Sequence, residues 1–386
     1  MATNIVSGTS QLECKLPCEL KHKIFSHLDI DSIPKLARSS KHLYDIFKSA
    51  EGVIWWYYTR NQLGGREMHL AAAYTPTPWR RFDYGMQAAR GVAENASRFV
   101  TKYLKAGSTT NAICPSEWTA DMARQAIRHN DAIHYFSDKI QSHLKVQRAF
   151  SSRETGRIVR ALYLMEIMRR LLPVTMPMDG SLVYVTVWQH LPPWEESLVA
   201  YIAEHVLLLM MQPTAQTCSA LARPMDRVLY PLAIYTMEGV EGMFEKYGCA
   251  NQWIHGWMNI IQRVVFPRAI YTLTFNGAER PCGNGTRRLE AGRVQQIVKL
   301  FHENDSGPAE LWLLKAIMDT HPWILDDDVK TAARELCRCP PIFDATTLKD
   351  MAGESWLTVR DLATAAHDKV LLNINPFLWG SHLEEL

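Results

Sequence analysis

The sequence lacks the features that would send a protein out of the cell or into a membrane. Its first residues, "MATNIVSGTSQLEC", hold no basic stretch followed by an apolar run, so they do not read as a secretory signal. The most apolar run, residues 198–211, is interrupted by Glu204 and His205. It falls short of the roughly 20 apolar residues that a spanning helix needs, and reads as a buried helix. The expected location is therefore cytoplasmic, nuclear or both, with no membrane partner. There is also no excess of one charge. Lys and Arg number 42 against 40 Asp and Glu, a net charge of +2. Nothing global points to nucleic acid.

Cysteine is present but not arranged for a frame or a metal. Eight cysteines in a reducing compartment are thiols rather than disulfides. Cys14 and Cys18, and Cys337 and Cys339, are closely spaced, yet neither pair has a second Cys or His pair at zinc spacing. No metal or cofactor is expected. The sequons at Asn95, Asn284 and Asn304 read as chance matches without a secretory route.

Enzyme motifs are missing as well. Neither G-x-S-x-G nor H-E-x-x-H occurs, and "GNG" at 283–285 lacks the frame of a phosphate loop. His134 and His143 are too far apart for one helical ligand pair and read as solvated helix histidines. The run Asp326–Asp328 precedes "VKTAARELC", where acidic residues suit a helix N-terminus. Tryptophans at 55, 56, 188, 194, 253, 257, 312, 323, 356 and 379 are spread along the chain, as core residues rather than a base-stacking platform. No period marks leucine-rich repeats or a propeller. One stretch, 88–108, resembles half of an ankyrin unit, but a single unit buries no solenoid core, and it reads as an ordinary helix pair.

What is present is ample core material, 47% hydrophobic and 21% charged residues. The most informative stretch is "LPCELKHKIFSHLDIDSIPKLARSSKHLYDIF", residues 16–47. Pro17 suits a helix start, and Glu19 the positive end of that helix. Leu20, Ile24, Phe25 and Leu28 recur at helical spacing. Asp31 or Ser32 can cap a second helix carrying Ile33, Leu36 and Ala37, with Pro34 in its first turn. Ser39 or Ser40 can cap a third, with Leu43, Ile46 and Phe47 on one face. A unit of this size has no independent core, so its apolar faces must dock elsewhere.

These residues resemble the F-box motif. Leu16, Pro17, Glu19, Leu20, Ile24, Phe25, Leu28, Leu36, Ser40, Lys41, Leu43 and Ile46 fall at the family's spacing without a gap. Ser39 stands where the family usually has an apolar residue, and Leu43 where many members have tryptophan. The resemblance implies a substrate-receptor subunit of an SCF-type cullin–RING ubiquitin ligase. Such a subunit docks on the SCF adaptor, reaches the cullin through it, and presents a protein substrate that the sequence does not name. The adaptor contacts it implies are Leu16, Pro17, Leu20, Ile24, Phe25, Leu28, Ile33, Leu36 and Leu43. If Leu16, Pro17, Ile24 and Leu28 are anchors, they should be partly exposed in the chain alone. Lys21, Lys23, Lys35 and Lys41 suit an acidic partner. The alternative role is an adaptor-binding scaffold or sequestering factor outside degradation. Neither role makes the chain an enzyme.

The fold class expected is mainly α. Residues 1–13 read as a flexible N-terminus, 14–50 as the three-helix F-box, and 51–386 as an irregular helical substrate-recognition or scaffold domain. Residues 52–386 are expected to form one body, with Leu162, Met165, Leu198, Ile202 and Leu209 in its core. Residues 151–172 are the clearest helix, with Ser151 and Glu154 as a capping box and Arg157, Arg160 and Arg169 largely off the apolar stripe. "RALYLME" (Arg160 to Glu166) and "PWE" (Pro193 to Glu195) look like segments that recur in uncharacterised fungal F-box proteins. That resemblance places both in one helical domain continuous with the F-box and implies no chemistry. Further helices are expected near 117–145, 225–263, 290–303, 308–319, 327–338 and 355–372. Residues 182–188 and 269–275 have strand character, leaving room for a minor hairpin. Residues 276–288 read as a surface loop.

Overall fold

The computed structural model describes residues 16–74, 97–104, 114–171 except 145 and 147, and 341–352, with residue 94 and scattered positions from 194 to 339. Every element among the described residues is helical. The segments with strand character and the loop at 276–288 lie outside the described residues. The chain divides into two compact units: Met1–Arg80 with Gly107–Ala132, and Arg81–Ala106 with Ile133–Leu386.

In the first unit, α1 (Cys18–His27) begins after Pro17, whose φ of −56° suits a helix entry, and carries Glu19 in its first turn. The chain then turns at Asp29. The Asp29 carboxylate accepts from the Ser32 amide at 2.8 Å and the Asp31 amide at 3.1 Å, opening α2 (Ser32–Arg38). The side chain that ties down the start of α2 is thus Asp29 and not Asp31 or Ser32, because a short carboxylate reaches amides two and three residues ahead. For α3 (Lys41–Ser49), the Ser40 hydroxyl accepts from the Leu43 amide at 3.2 Å.

Three helices this short cannot close a core, and the chain supplies the missing layer from its own next segment. Helix α4 (Glu51–Leu63) lies along α1, and the Asn61 amide donates to the Ser26 carbonyl at 3.3 Å. Aromatic rings form the centre. Phe25 of α1 meets Phe47 of α3 at 5.6 Å, and Phe47 meets Trp55 of α4 edge-on at 6.2 Å. Gly64 then turns the chain with φ of 78°, a conformation open to glycine without strain, into α5 (Gly65–Tyr74). Helices α4 and α5 belong to the same compact unit as the first three helices.

A distant segment completes this unit. The 3-10 turn Pro115–Glu117 lies on the first turn of α4. A Cβ at Gly52 would collide with the Ser116 carbonyl oxygen, so only glycine allows the approach. Trp118 is buried, its indole N–H donating to the Thr59 hydroxyl at 3.0 Å, and its ring meets Trp56 edge-on at 5.3 Å. Helix α6 (Ala120–His143) follows, with buried His129 stacked on Tyr74.

In the second unit, α7 (Ser152–Leu171) begins with the expected capping box. The Ser151 hydroxyl accepts from the Glu154 amide at 3.2 Å, and the Glu154 carboxylate from the Ser151 amide at 2.8 Å. The helix is buried more fully than a single stripe requires. Ile158, Leu162 and Met165 are inside, as are Val159, Tyr163 and Ile167. Arg157 is not on a solvated side: it is buried, pairs with Asp344 at 2.8 Å and donates to the Ile342 carbonyl at 2.6 Å. Leu198 and Ile202 are buried too, while Leu209 lies outside the described residues. The two segments singled out in the sequence meet: Arg160 grips Glu195 through two hydrogen bonds of 2.7 and 3.1 Å, next to buried Trp194. Glu166 accepts from the Val240 amide at 3.0 Å. A final described helix, α8 (Ala345–Ala352), falls where the sequence pattern marks none.

Candidate functional site

The large apolar residues of α1 and of its two ends have different fates. Leu20 and Ile24 lie four residues apart on the helix, with Leu16 just before it and Leu28 at its C-cap; together they are taken as one ridge. Leu20 is 46% exposed, Pro17 is exposed, and Leu16, Ile24 and Leu28 are half-buried. Leu36 on α2 is also half-buried. The other face carries Lys21, Phe25 and Ser26, all buried within the unit. So the ridge is left open by the chain's own packing, and α4 covers the opposite side.

Three of the residues expected as partner contacts are buried in the chain alone. Phe25, Ile33 and Leu43 are at most 4% exposed and fill the interior of the first unit. Helical spacing alone could not separate an inward position from an outward one, because tertiary packing decides which apolar side chains are covered. Of the two departures from the family pattern, Leu43 is therefore an interior substitution. Ser39 is exposed, its hydroxyl donating to the Leu36 carbonyl at 2.8 Å.

The charges sort in the same way. Lys23, Lys35 and Lys41 are exposed, but Lys21 is only 4% exposed. Its Nζ lies 3.0 Å from His42 Nε2. An ammonium can only donate, so the imidazole accepts, and the pair ties α1 to α3. Lys21 thus holds the helices together and is withdrawn from any role in steering a partner. Sequence reasoning missed this link, and it missed exposed Tyr44 and Tyr57. Tyr44 sits one residue past inward-facing Leu43, which was a legible signal.

One other cluster of charged groups stands out, in the second unit. Glu154 is fully buried at the start of α7. Its carboxylate accepts from Arg148 at 2.6 Å, from the Thr347 hydroxyl at 2.7 Å and from the Asp344 amide at 3.1 Å, besides the Ser151 amide. Burial pushes its pKa up, but the hydrogen bonds from Arg148, Ser151, Thr347 and Asp344 outweigh it and bring the carboxyl down to about 2. With its oxygens engaged on every side, Glu154 is a clasp between α7 and the residues before α8. It has no open coordination to offer a substrate. Among the described residues, no group of three His, Cys, Asp or Glu side chains could hold a metal ion. No described helix is long and apolar enough to cross a membrane. His134 and His143 are half-buried on α6, His143 facing His205 edge-on at 5.7 Å. The Asp326–Asp328 run and "GNG" lie outside the described residues.

The partly exposed ridge lies on a small helical unit whose other side is backed by the chain's own next segment. Residues 14–53 match the model of the F-box domain. The chain carries an F-box. Among curated proteins and solved structures, nothing matches it. The F-box match spans α1, α2 and α3 and ends within the first turn of α4. The ridge therefore lies wholly inside the F-box, while much of what backs it, from Ile54 to Leu63 and at Trp118, lies beyond.

Proposed function

We propose that this F-box protein is a substrate-receptor subunit of an SCF-type cullin–RING ubiquitin ligase. It docks on the SCF adaptor through residues 16–47 and reaches the cullin through that adaptor. Residues 51–386 would act as the substrate-recognition or scaffold region, with the second compact unit as the surface that meets the target. The target is a protein of unassigned identity. The role calls for no active site in this chain: catalysis is proximity, supplied by placing the target near ubiquitin carried by other subunits.

The observation that carries the reading is the ridge Leu16–Leu20–Ile24–Leu28, partly exposed in the chain alone and inside the F-box match. Apolar anchors on one helical face are what helix-in-groove recognition uses, a few of them giving most of the energy. Exposed Lys23, Lys35 and Lys41, one on each of the three F-box helices, favour an acidic partner and would raise the association rate. Co-purification tests the proposal. A receptor brings down adaptor and cullin together, and its deletion makes a target accumulate. Recovery of adaptor without cullin would replace the receptor reading with a scaffold or sequestering role outside degradation. Recovery of neither would end both.

A further inference from the structure

We infer that Trp118 and the turn before it are positioning elements for adaptor docking, although they lie far beyond the F-box match. This inference rests on the docking role proposed above. The observations form one packed line through the first unit. The ridge sits on α1, whose inner face carries Phe25. Phe25 packs on Phe47, Phe47 on Trp55, and the Trp55 carbonyl accepts from the Thr59 hydroxyl at 2.8 Å. Thr59, fully buried, in turn accepts from the Trp118 indole at 3.0 Å. Trp56, the residue after Trp55 on α4, meets the Trp118 ring. At the N-terminal end of α4, Gly52 receives the Ser116 carbonyl so closely that no side chain fits between them.

Helix α4 is the layer that keeps α1 in place, and residues 115–118 are the layer that keeps α4 in place. Three short helices cannot hold their arrangement without that backing. When the backing loosens, fewer chains present the ridge in its docking-competent form, and the apparent affinity falls by that fraction. The docking module of this chain is accordingly residues 16–74 together with 114–132.

Gly52→Ala is the decisive variant. In a helix, alanine is intrinsically preferred to glycine, so the change favours α4 taken by itself. Its Cβ nevertheless collides with backbone of the turn and must push it away. The full chain, Gly52→Ala, Trp118→Phe and Trp118→Ala are titrated with purified SCF adaptor, and amide exchange is followed in α1 and α4. Glu154→Gln, which damages the second unit, is the control. The inference expects Gly52→Ala and Trp118→Ala to weaken binding roughly tenfold, with faster exchange in α1. Trp118→Phe should do less, and Glu154→Gln should change affinity by less than about twofold. If Trp118→Ala does not fold, Gly52→Ala decides alone. Wild-type affinity and unchanged α1 exchange in Gly52→Ala would overturn the inference, as would an equal loss in Glu154→Gln. Absence of binding by the unaltered chain would instead overturn the docking role itself.

Discussion

Phe25 of α1 and Phe47 of α3 pack ring to ring, centroids 5.6 Å apart, while Ile24, one residue earlier on α1, remains partly open to solvent. One helix thus serves the interior and the exterior with neighbouring residues. Truncating the interior member should act on folding. Phe25→Ala should cost about 3–5 kcal/mol, and Ile33→Ala or Leu43→Ala about 2–5 kcal/mol, by cavity formation. Thermal or denaturant unfolding of the first unit checks this. A loss under about 1 kcal/mol for any of the three would contradict its interior placement.

Glu154 makes a prediction about acid. Its folded pKa of about 2 lies below the ordinary 4.5, so its stabilisation is present above pH 4.5 and disappears as pH falls through 2. The amount is on the order of 3 kcal/mol. Protection factors in α7 and α8, corrected for the intrinsic pH dependence of amide exchange, should therefore fall across that window. Glu154→Gln should already exchange faster at neutral pH, and should respond less to acid. The same acid response in both proteins would show that the clasp does not depend on this carboxylate.

Arg160 and Glu195 join two segments separated by more than 30 residues of chain, and the grip is bidentate. The pair is half-buried, so it should contribute more than a surface ion pair. A double-mutant cycle with Arg160→Met and Glu195→Gln should return a coupling of about 1–2 kcal/mol. Arg160→Lys should recover only part of it, because an ammonium lacks the planar fork. Full recovery by lysine would mean that only charge matters here.

Much of this was legible in the sequence and some was not, for identifiable reasons. The three N-terminal helices, the Ser40 cap and the Ser151–Glu154 capping box follow from local rules acting over three or four residues. The helical class and the buried positions Leu162, Met165, Leu198 and Ile202 follow from periodicity. Periodicity could not sort Phe25 from Ile24, since the two are adjacent large apolar residues and only tertiary packing chooses which one is covered. Lys21 was read as a surface charge because burial of a lysine needs a partner, and His42 lies 21 residues away. Trp118 carries no local signal of its contact with Thr59, 59 residues earlier. Arg157 likewise looks like a solvated arginine until Asp344 arrives from the far end of the chain.

The most direct measurement concerns the ridge. Ile24 and Leu28 are replaced together by alanine in the full chain, and two quantities are read: affinity for purified SCF adaptor and the melting temperature. Each lost anchor is worth on the order of 2 kcal/mol, so adaptor binding should weaken on the order of a thousandfold. The melting temperature should stay nearly unchanged, because both side chains are already partly in water. Unchanged adaptor binding with a collapsed melt would contradict the account, and would make these helices only the first layer of a helical domain.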